Sequence, residues 1–142
     1  MVRVKNIDHW SFTVSDIERS TAFYQRLGFE PHKRYISEGP DAAEGTGTPG
    51  ARIDVGWLRH PAGQPMLELL RYENTPSGVA AHNSVVGAAH LCLEVEDVTS
   101  AHRDLSSAGV PFVSPPHSDR YGVRWVYMRD PDGNVVELIQ QP

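Results

Sequence analysis

Hydrophobic and polar side chains alternate along two stretches of the chain that have the same layout. Every second residue from Trp10 to Val14 is a large hydrophobe, and the same holds from Leu91 to Val95. A period of two is typical of a strand with one buried face. The pattern therefore predicts two β-strands, each with its polar side chains on the face opposite the buried one.

These two strands begin the two copies of an internal repeat whose offset is 81 residues. In each copy a His comes just before the first hydrophobe, an Asp follows seven residues after that His, and a Gly follows twelve residues after the Asp. Asp is favoured at the N-cap of a helix and Gly just past its end, so the spacing predicts a helix after each strand. In the first helix Ser15 with Glu18 also fits a capping box, which leaves Ser15 and Asp16 as alternative caps. The matching residues are His9 and His90, Asp16 and Asp97, and Gly28 and Gly109.

Shorter patterns predict the remaining elements of each half. Residues 37–50 are polar and rich in Gly, Pro and Ala, which indicates a long loop. Turn signals at 60–63 and 130–133 separate the last two strands of each half. Each half therefore has the order βαβββ. The further predicted strands are 29–36, 52–58 and 66–72 in the first half and 112–113, 123–128 and 135–139 in the second.

The repeat also predicts the domain organisation. We expect a first βαβββ module over residues 1–73, a linker over 74–86 and a second module over 87–142. A chain of 142 residues is long enough to bury one sizeable core, so the two modules are expected to form one compact domain overall.

Four residues that can bind a metal stand at equivalent places in the two halves. His9 and His90 lie in the first strand of each half, on the face without the large hydrophobes. Glu68 and Glu137 lie in the last strand between apolar neighbours, where a carboxylate is costly unless it is paired or bound to a metal. Each residue taken alone is more simply an ordinary strand residue, but their shared register favours a site.

The types of these four residues indicate which ion they would hold. Two imidazoles and two carboxylates suit a divalent transition metal ion such as Ni, Co, Zn, Mn or Fe(II). Structural zinc sites prefer Cys, which this set lacks. Four protein ligands on a six-coordinate ion leave about two positions for water or substrate. The set therefore predicts a catalytic metal site rather than a structural one.

Composition and charge exclude several classes of function. The net charge is −5 and no run of Lys and Arg exceeds two residues, so we expect no nucleic-acid partner. No run of about 18 apolar residues predicts a membrane span, and the first residues lack the apolar segment of a secretory signal. The single Cys cannot form an internal disulfide, which fits a reducing compartment, and we expect a cytoplasmic protein with no membrane partner.

Five motifs spread over nearly the whole chain carry a resemblance to a known family. They are His9…Val14-Ser15-Asp16, Phe23-Tyr24…Leu27-Gly28-Phe29, Leu67-Glu68-Leu69-Leu70, His90…Val95-Glu96-Asp97 and Asp130-Pro131-Asp132-Gly133-Asn134…Glu137-Leu138. With these motifs the chain resembles the vicinal oxygen chelate superfamily of glyoxalases, bleomycin-resistance proteins and extradiol dioxygenases. It is closest in motif to glyoxalase I and the methylmalonyl-CoA epimerase-like members. The resemblance implies an α+β fold in which two tandem βαβββ modules form a curved, cup-shaped mixed sheet with helices on the outer face.

The resemblance also implies a site and an activity. His9, Glu68, His90 and Glu137 match the four ligand places around one divalent metal ion in this family. The implied activity is that of a metal-dependent lyase, isomerase or epimerase of the glyoxalase type, which transfers a proton alpha to a metal-bound carbonyl of a small oxygenated substrate. By similarity to glyoxalase I, Glu137 is the expected base and Glu68 its partner on the opposite face. A homodimer is expected by the same analogy.

Three other functions stay open at this point. The first is an Fe(II) extradiol-type dioxygenase that uses His9 or His90 with Glu137. The second is a non-catalytic, resistance-type protein that sequesters a ligand, although such proteins often lack the metal ligands that this chain retains. The third is a structural or regulatory subunit in which the metal only braces the fold.

Further residues are candidates for the walls of a substrate pocket. Strand alternation puts Thr13 and Cys92 on the same face as the two candidate His ligands. The other His residues, at 32, 60, 82, 102 and 117, have no partner in the repeat and are expected at the surface. The substrate-binding candidates are Thr13, Cys92, Arg52, Trp57, Tyr72, Tyr121 and Tyr127.

Overall fold

The computed structural model describes residues 1–74 and 82–142. The chain divides into two compact units, Met1–Gly78 and Val79–Pro142. Most of the predicted linker over 74–86 lies outside the described residues, so the module boundaries expected from the sequence stay a prediction. No helix in the described part of the chain is long and apolar enough to cross a membrane.

The first unit contains four strands and two helices. They are β1 (His9–Thr13), α1 (Ile17–Gln25), β2 (Glu30–Glu38), α2 (Pro40–Thr46), β3 (Arg52–His60) and β4 (Gly63–Tyr72). The strands form one mixed sheet in the order β1-β4-β3-β2, in which β1 is parallel to β4 and the other neighbours are antiparallel. Helix α1 packs against this sheet.

The second unit repeats this topology with one helix fewer. Its elements are β5 (His90–Glu94), α3 (Val98–Ser107), β6 (His117–Ser118), β7 (Arg124–Arg129) and β8 (Val135–Gln140). The sheet order is β5-β8-β7-β6, with β5 parallel to β8 and the remaining pairs antiparallel. The predicted α+β class and the two tandem βαβββ modules are therefore confirmed, with one additional helix in the first.

The apolar faces of the alternating strands are the buried ones, as predicted. Phe12 is buried and its ring stacks on Tyr24 of α1, with the ring centroids 6.2 Å apart. Leu67 and Leu69 of β4 are also buried, and so is Val98 at the start of α3. The polar side chains of β1 lie on the face of the sheet opposite α1 and Phe12, and those of β5 lie on the face opposite the buried Leu91.

Asp side chains cap both repeated helices. A carboxylate oxygen of Asp16 accepts the Arg19 backbone N–H at 2.9 Å, and Asp97 accepts the Thr99 N–H at 2.8 Å. The backbone hydrogen bond from Arg19 lowers the pKa of Asp16, and hydrogen bonds from Ser100 and then Thr99 lower the pKa of Asp97. Of the two caps that the sequence allowed for α1, Asp16 is therefore the one used, while Ser15 accepts a hydrogen bond from the Arg19 side chain.

The predicted long loop over 37–50 is wrong, because it contains the end of β2 and the whole of α2. Pro40 occupies the first turn of α2, where its fixed φ suits a helix and its missing N–H is not needed. Ala residues then favour the helix, and Gly47 ends it in the left-handed conformation. The Gly and Pro residues that indicated a loop are in fact the start and stop signals of a short helix.

The predicted short strand over 112–113 is reduced to one antiparallel bridge to β7. Phe112 makes only a single bridge to Met128, and the fourth strand of the second sheet forms later, at His117–Ser118. This two-residue strand directly follows Pro115 and Pro116. Its existence depends on pairing with β7 rather than on its own residues, which carry no strand pattern.

Gly28 and His60 together fasten the end of α1 to β3. Gly28 has φ +87°, a conformation that side chains disfavour. The His60 ring accepts the Ala62 N–H at Nδ1, so its Nε2–H donates to the Leu27 carbonyl at 3.1 Å. His60, expected at the surface, is partly buried and has a structural role.

Replacing Gly28 with Ala is expected to destabilise the fold by about 2–3 kcal/mol, because left-handed strain and a lost hydrogen bond add together. A Cβ at this position would lie 2.8 Å from Nε2 of His60 and would displace the ring. Gly109→Ala is the matched control, since Gly109 has φ +83° but nothing within 4 Å of such a Cβ. Urea denaturation measures both changes. An equal loss of unfolding free energy in the two variants would show that the contact with His60 does not stabilise the fold.

A buried carboxylate links α1, β2 and β3. Asp54 is 5% exposed and accepts two hydrogen bonds from Arg34, at 2.9 and 2.7 Å. Arg34 also binds Glu18 of α1 at 2.5 Å. The hydrogen bond from Arg34, more than any other contact, lowers the pKa of Asp54. The carboxylate is therefore charged and paired in the folded protein at neutral pH.

Asp54→Asn is expected to lower the free energy of unfolding by about 2 kcal/mol at pH 7, less than for a fully buried pair because Arg34 is partly exposed. The folded-state pKa of Asp54 lies below the ordinary value of about 3.9. Its contribution to the free energy of unfolding is therefore complete above a pH of about 3.9 and is lost as the pH falls through the folded-state pKa. The difference between wild type and variant should therefore shrink from pH 7 to pH 2 in denaturant titrations. Glu18→Gln, at the exposed end of the cluster, is the control and should cost under about 1 kcal/mol. A difference that stays constant with pH would contradict this role.

Candidate functional site

A His–Glu pair lies on the face of the first sheet opposite α1. His9 is on the opposite face of β1 from the buried Phe12, and Ser11, on the same face as His9, pairs in register with Glu68 of β4. Nε2 of His9 is 3.6 Å from Oε2 of Glu68. The Glu68 side chain is only 14% exposed, whereas that of His9 is 37% exposed. The carboxylate is therefore the more buried member of the pair.

Two neighbours hold the His9 ring. Nδ1 lies 2.8 Å from a carboxylate oxygen of Asp8. The ring edge packs against Trp57, with the centroids 5.0 Å apart and the planes at 78°. Trp57 is the register partner of Glu68 on β3, so the aromatic ring is adjacent to both members of the pair. Neither neighbour follows from periodicity alone, because both depend on strand pairing or on a local side-chain contact.

The second sheet carries the equivalent pair. Cys92 of β5 is the register partner of Glu137 on β8, as Ser11 is of Glu68. Nε2 of His90 lies 3.0 Å from Oε2 of Glu137, whose side chain is 13% exposed. Tyr127 of β7 is the register partner of Glu137 and packs edge-on against His90, at 5.4 Å and 88°. Both units thus place a His, a Glu and an aromatic ring in the same arrangement.

Cys92 and Tyr127 lie beside the Glu137 carboxylate in their protonated forms. Burial, followed by the charge of Glu137, raises the pKa of the Cys92 thiol to about 12. Burial raises the pKa of the Tyr127 phenol as well, and the charge of Glu137 is the second cause. Both groups keep their protons at neutral pH, so neither adds charge to the pair.

The other predicted substrate-binding residues are less well placed. Thr13 lies on the His9 face of β1, and Tyr72 lies on the Glu68 face of β4. Arg52 is on the opposite face of β3 from Trp57, where it forms ion pairs with Glu38 and Glu73 at the start of the strand. Tyr121 is 67% exposed in a turn and contacts Arg120. The structure therefore brings Trp57, Cys92 and Tyr127 to the pairs, but not Arg52 or Tyr121.

The donor atoms of each pair fit a divalent metal ion. Two atoms bound side by side to one ion, each about 2.1 Å from it, lie about 3 Å apart. The observed separations of 3.6 Å at His9 and 3.0 Å at His90 are close to this value. Within residues 1–74 and 82–142, no three His, Cys, Asp or Glu side chains form a metal-binding group.

Comparisons with known proteins agree with this topology. The family model of the Glyoxalase/Bleomycin resistance protein/Dioxygenase superfamily matches residues 6–138. A bleomycin resistance protein of Klebsiella pneumoniae is 24% identical over 132 residues, which cover 88% of this chain and 84% of that protein. A lactoylglutathione lyase of Schizosaccharomyces pombe is 26% identical over 146 residues, which cover 94% of this chain but only 44% of that protein. The crystal structure of a glyoxalase family protein from Bacillus cereus has a TM-score of 0.87 at 21% identity and covers 98% of this chain and 95% of that one.

Proposed function

The chain belongs to the Glyoxalase/Bleomycin resistance protein/Dioxygenase superfamily, and from this premise we propose that it is a metal-dependent lyase or isomerase of the glyoxalase type. The proposed reaction transfers a proton alpha to a carbonyl of a small oxygenated substrate. One observation carries the proposal: the same His–Glu contact occurs at the same register position in both units, at His9–Glu68 and at His90–Glu137.

We propose His9, Glu68, His90 and Glu137 as the ligands of one divalent ion. The imidazole and carboxylate donors suit Ni, Co, Zn, Mn or Fe(II). The ion, when bound, supplies a Lewis acid that stabilises the negative charge developing on a substrate oxygen. The proposal includes a homodimer in the cytoplasm, as expected from the superfamily analogy and the single Cys.

In the proposed reaction, Glu137 removes the proton next to the carbonyl and Glu68 returns a proton from the opposite face. Both carboxylates are more than four-fifths buried, which keeps water from competing for the proton. Tyr127 and Cys92 keep their protons beside Glu137, so neither competes with it as the base. Trp57 and Tyr127 pack against the two imidazoles and limit their rotation.

Deuterium exchange tests the proposal without knowledge of the full reaction. S-lactoylglutathione, chosen because one relative is a lactoylglutathione lyase, is incubated in D2O with protein loaded separately with each ion. We expect the proton on the lactoyl α-carbon to disappear from the NMR spectrum in a metal-dependent manner and to persist after EDTA treatment. Absence of exchange with every ion, in protein that binds the ion, would overturn the assignment for this substrate class.

A second candidate function is ligand sequestration without chemistry. The 24% identity to a bleomycin resistance protein over 88% of the chain favours it. Binding of bleomycin, measured by the fluorescence of the Trp residues, with no deuterium exchange and no effect of EDTA, would support this function. Oxygen uptake with a catechol after anaerobic Fe(II) loading would instead identify an extradiol-type dioxygenase.

A further inference from the structure

The two candidate His ligands differ in how their ring nitrogens are engaged. Nδ1 of His9 lies 2.8 Å from the Asp8 carboxylate, and its Nε2 is 3.6 Å from Glu68, beyond hydrogen-bond distance. His90 has the reverse arrangement, with Nε2 hydrogen-bonded to Glu137 at 3.0 Å. The residue before His90 is Ala89, and within the described residues Nδ1 of His90 has no hydrogen-bond partner.

These contacts decide which nitrogen of each neutral ring carries the proton. An ionised carboxylate only accepts hydrogen bonds, so the nitrogen that contacts it must be the N–H. His9 therefore has its proton on Nδ1 and a free lone pair on Nε2, the nitrogen that lies 3.6 Å from Oε2 of Glu68. His90 has its proton on Nε2, the nitrogen that faces Glu137.

We propose that Asp8 is a positioning residue that prepares His9 to bind the metal through Nε2. This inference rests on the proposed metal site, although the protonation state of the ring does not. The hydrogen bond to Asp8 fixes the tautomer, and the edge-on contact with Trp57 restricts rotation of the ring. The Asp8 side chain is 78% exposed, so its charge remains solvated and its carboxylate loses little hydration free energy.

The two halves consequently have different tasks in metal binding. Nε2 of His9 binds an ion without losing a proton or breaking a hydrogen bond. To bind an ion through Nε2, His90 would have to shift its proton to Nδ1 and lose its hydrogen bond to Glu137. The first half is the preorganised half, and in the second half the hydrogen bond between His90 and Glu137 would have to break before both could hold the ion.

The first arm of the test reads the tautomers directly. Two-bond nitrogen–proton correlation spectra of metal-free protein with 15N-labelled His are recorded near pH 8.5, above the ordinary imidazole pKa of about 6.5. We expect the Nδ1–H form for His9 and the Nε2–H form for His90. Asp8→Ala should convert His9 to the Nε2–H form and leave His90 unchanged, while Asp8→Asn, whose amide oxygen still accepts a hydrogen bond, should preserve the Nδ1–H form. An Nε2–H form for His9 in the wild type would overturn the inference.

The second arm measures the affinity for Ni, Co, Zn or Mn alone by competition with a chromophoric chelator. Asp8→Ala should weaken binding about 10- to 100-fold, and Asp8→Asn should restore most of the loss. A changed tautomer with unchanged affinity would overturn the positioning role. If the wild type binds none of these ions, the proposed metal site fails instead, and the spectra still decide whether Asp8 sets the state of the ring.

Discussion

His90→Ala is expected to abolish metal binding, lowering the metal content after dialysis from about one ion per chain to less than about a tenth of that. The substitution removes one of two imidazole donors and leaves Glu137 without its partner at 3.0 Å. The loss should be visible by inductively coupled plasma mass spectrometry. Circular dichroism should show an unchanged fold, because the His90 side chain is 39% exposed.

The matched control for this change is His32→Ala. His32 is an exposed imidazole on β2 and takes no part in either His–Glu pair. Its removal should leave the metal content unchanged, which separates the proposed site from non-specific binding by surface His residues. Equal metal content in wild type and His90→Ala would contradict the ligand assignment.

Glu137→Gln is expected to lower the rate of α-proton exchange by about 100- to 10,000-fold at saturating metal, because an amide cannot accept the proton. The rate constant of deuterium incorporation into S-lactoylglutathione measures the effect. Saturating metal is needed because the substitution also lowers the affinity for the metal ion. With the metal site filled, the exchange rate reports the proton transfer alone.

Glu94→Gln provides the control for this second change. Glu94 lies on the same face of β5 as His90 and Cys92 but is exposed and outside the pair. Its neutralisation should leave exchange within about two-fold of the wild type, since surface charges act weakly. Full exchange by Glu137→Gln would assign the base to another group, and Glu68→Gln would then be the next variant to measure.

The features that could be predicted from the sequence are those set by local physical chemistry. Alternation from Trp10 to Val14 determines which face of β1 is buried, and Asp97 caps α3 because its side chain satisfies free N–H groups. The repeat then makes equivalent positions comparable. That is why His9 and Glu68 could be paired before any contact between them was known.

The features that could not be predicted depend on which strands pair and in what register. Trp57 and Tyr127 flank the two pairs because β3 and β7 align them with Glu68 and Glu137. Periodicity places a residue on a face but does not say which residue of the next strand lies beside it. The contact between Asp8 and its neighbouring ring was missed for a related reason, since no sequence pattern specifies the rotamer that brings the two together.

Anomalous diffraction from crystals of the protein loaded with Ni, Co or Zn is the most direct test of the proposed metal site. Data collected on both sides of the absorption edge of the ion locate it and identify the element. We expect an anomalous peak about 2.0–2.2 Å from Nε2 of His9, Nε2 of His90 and carboxylate oxygens of Glu68 and Glu137. A peak bound only to other residues, or none in crystals that contain the ion, would contradict the proposed site.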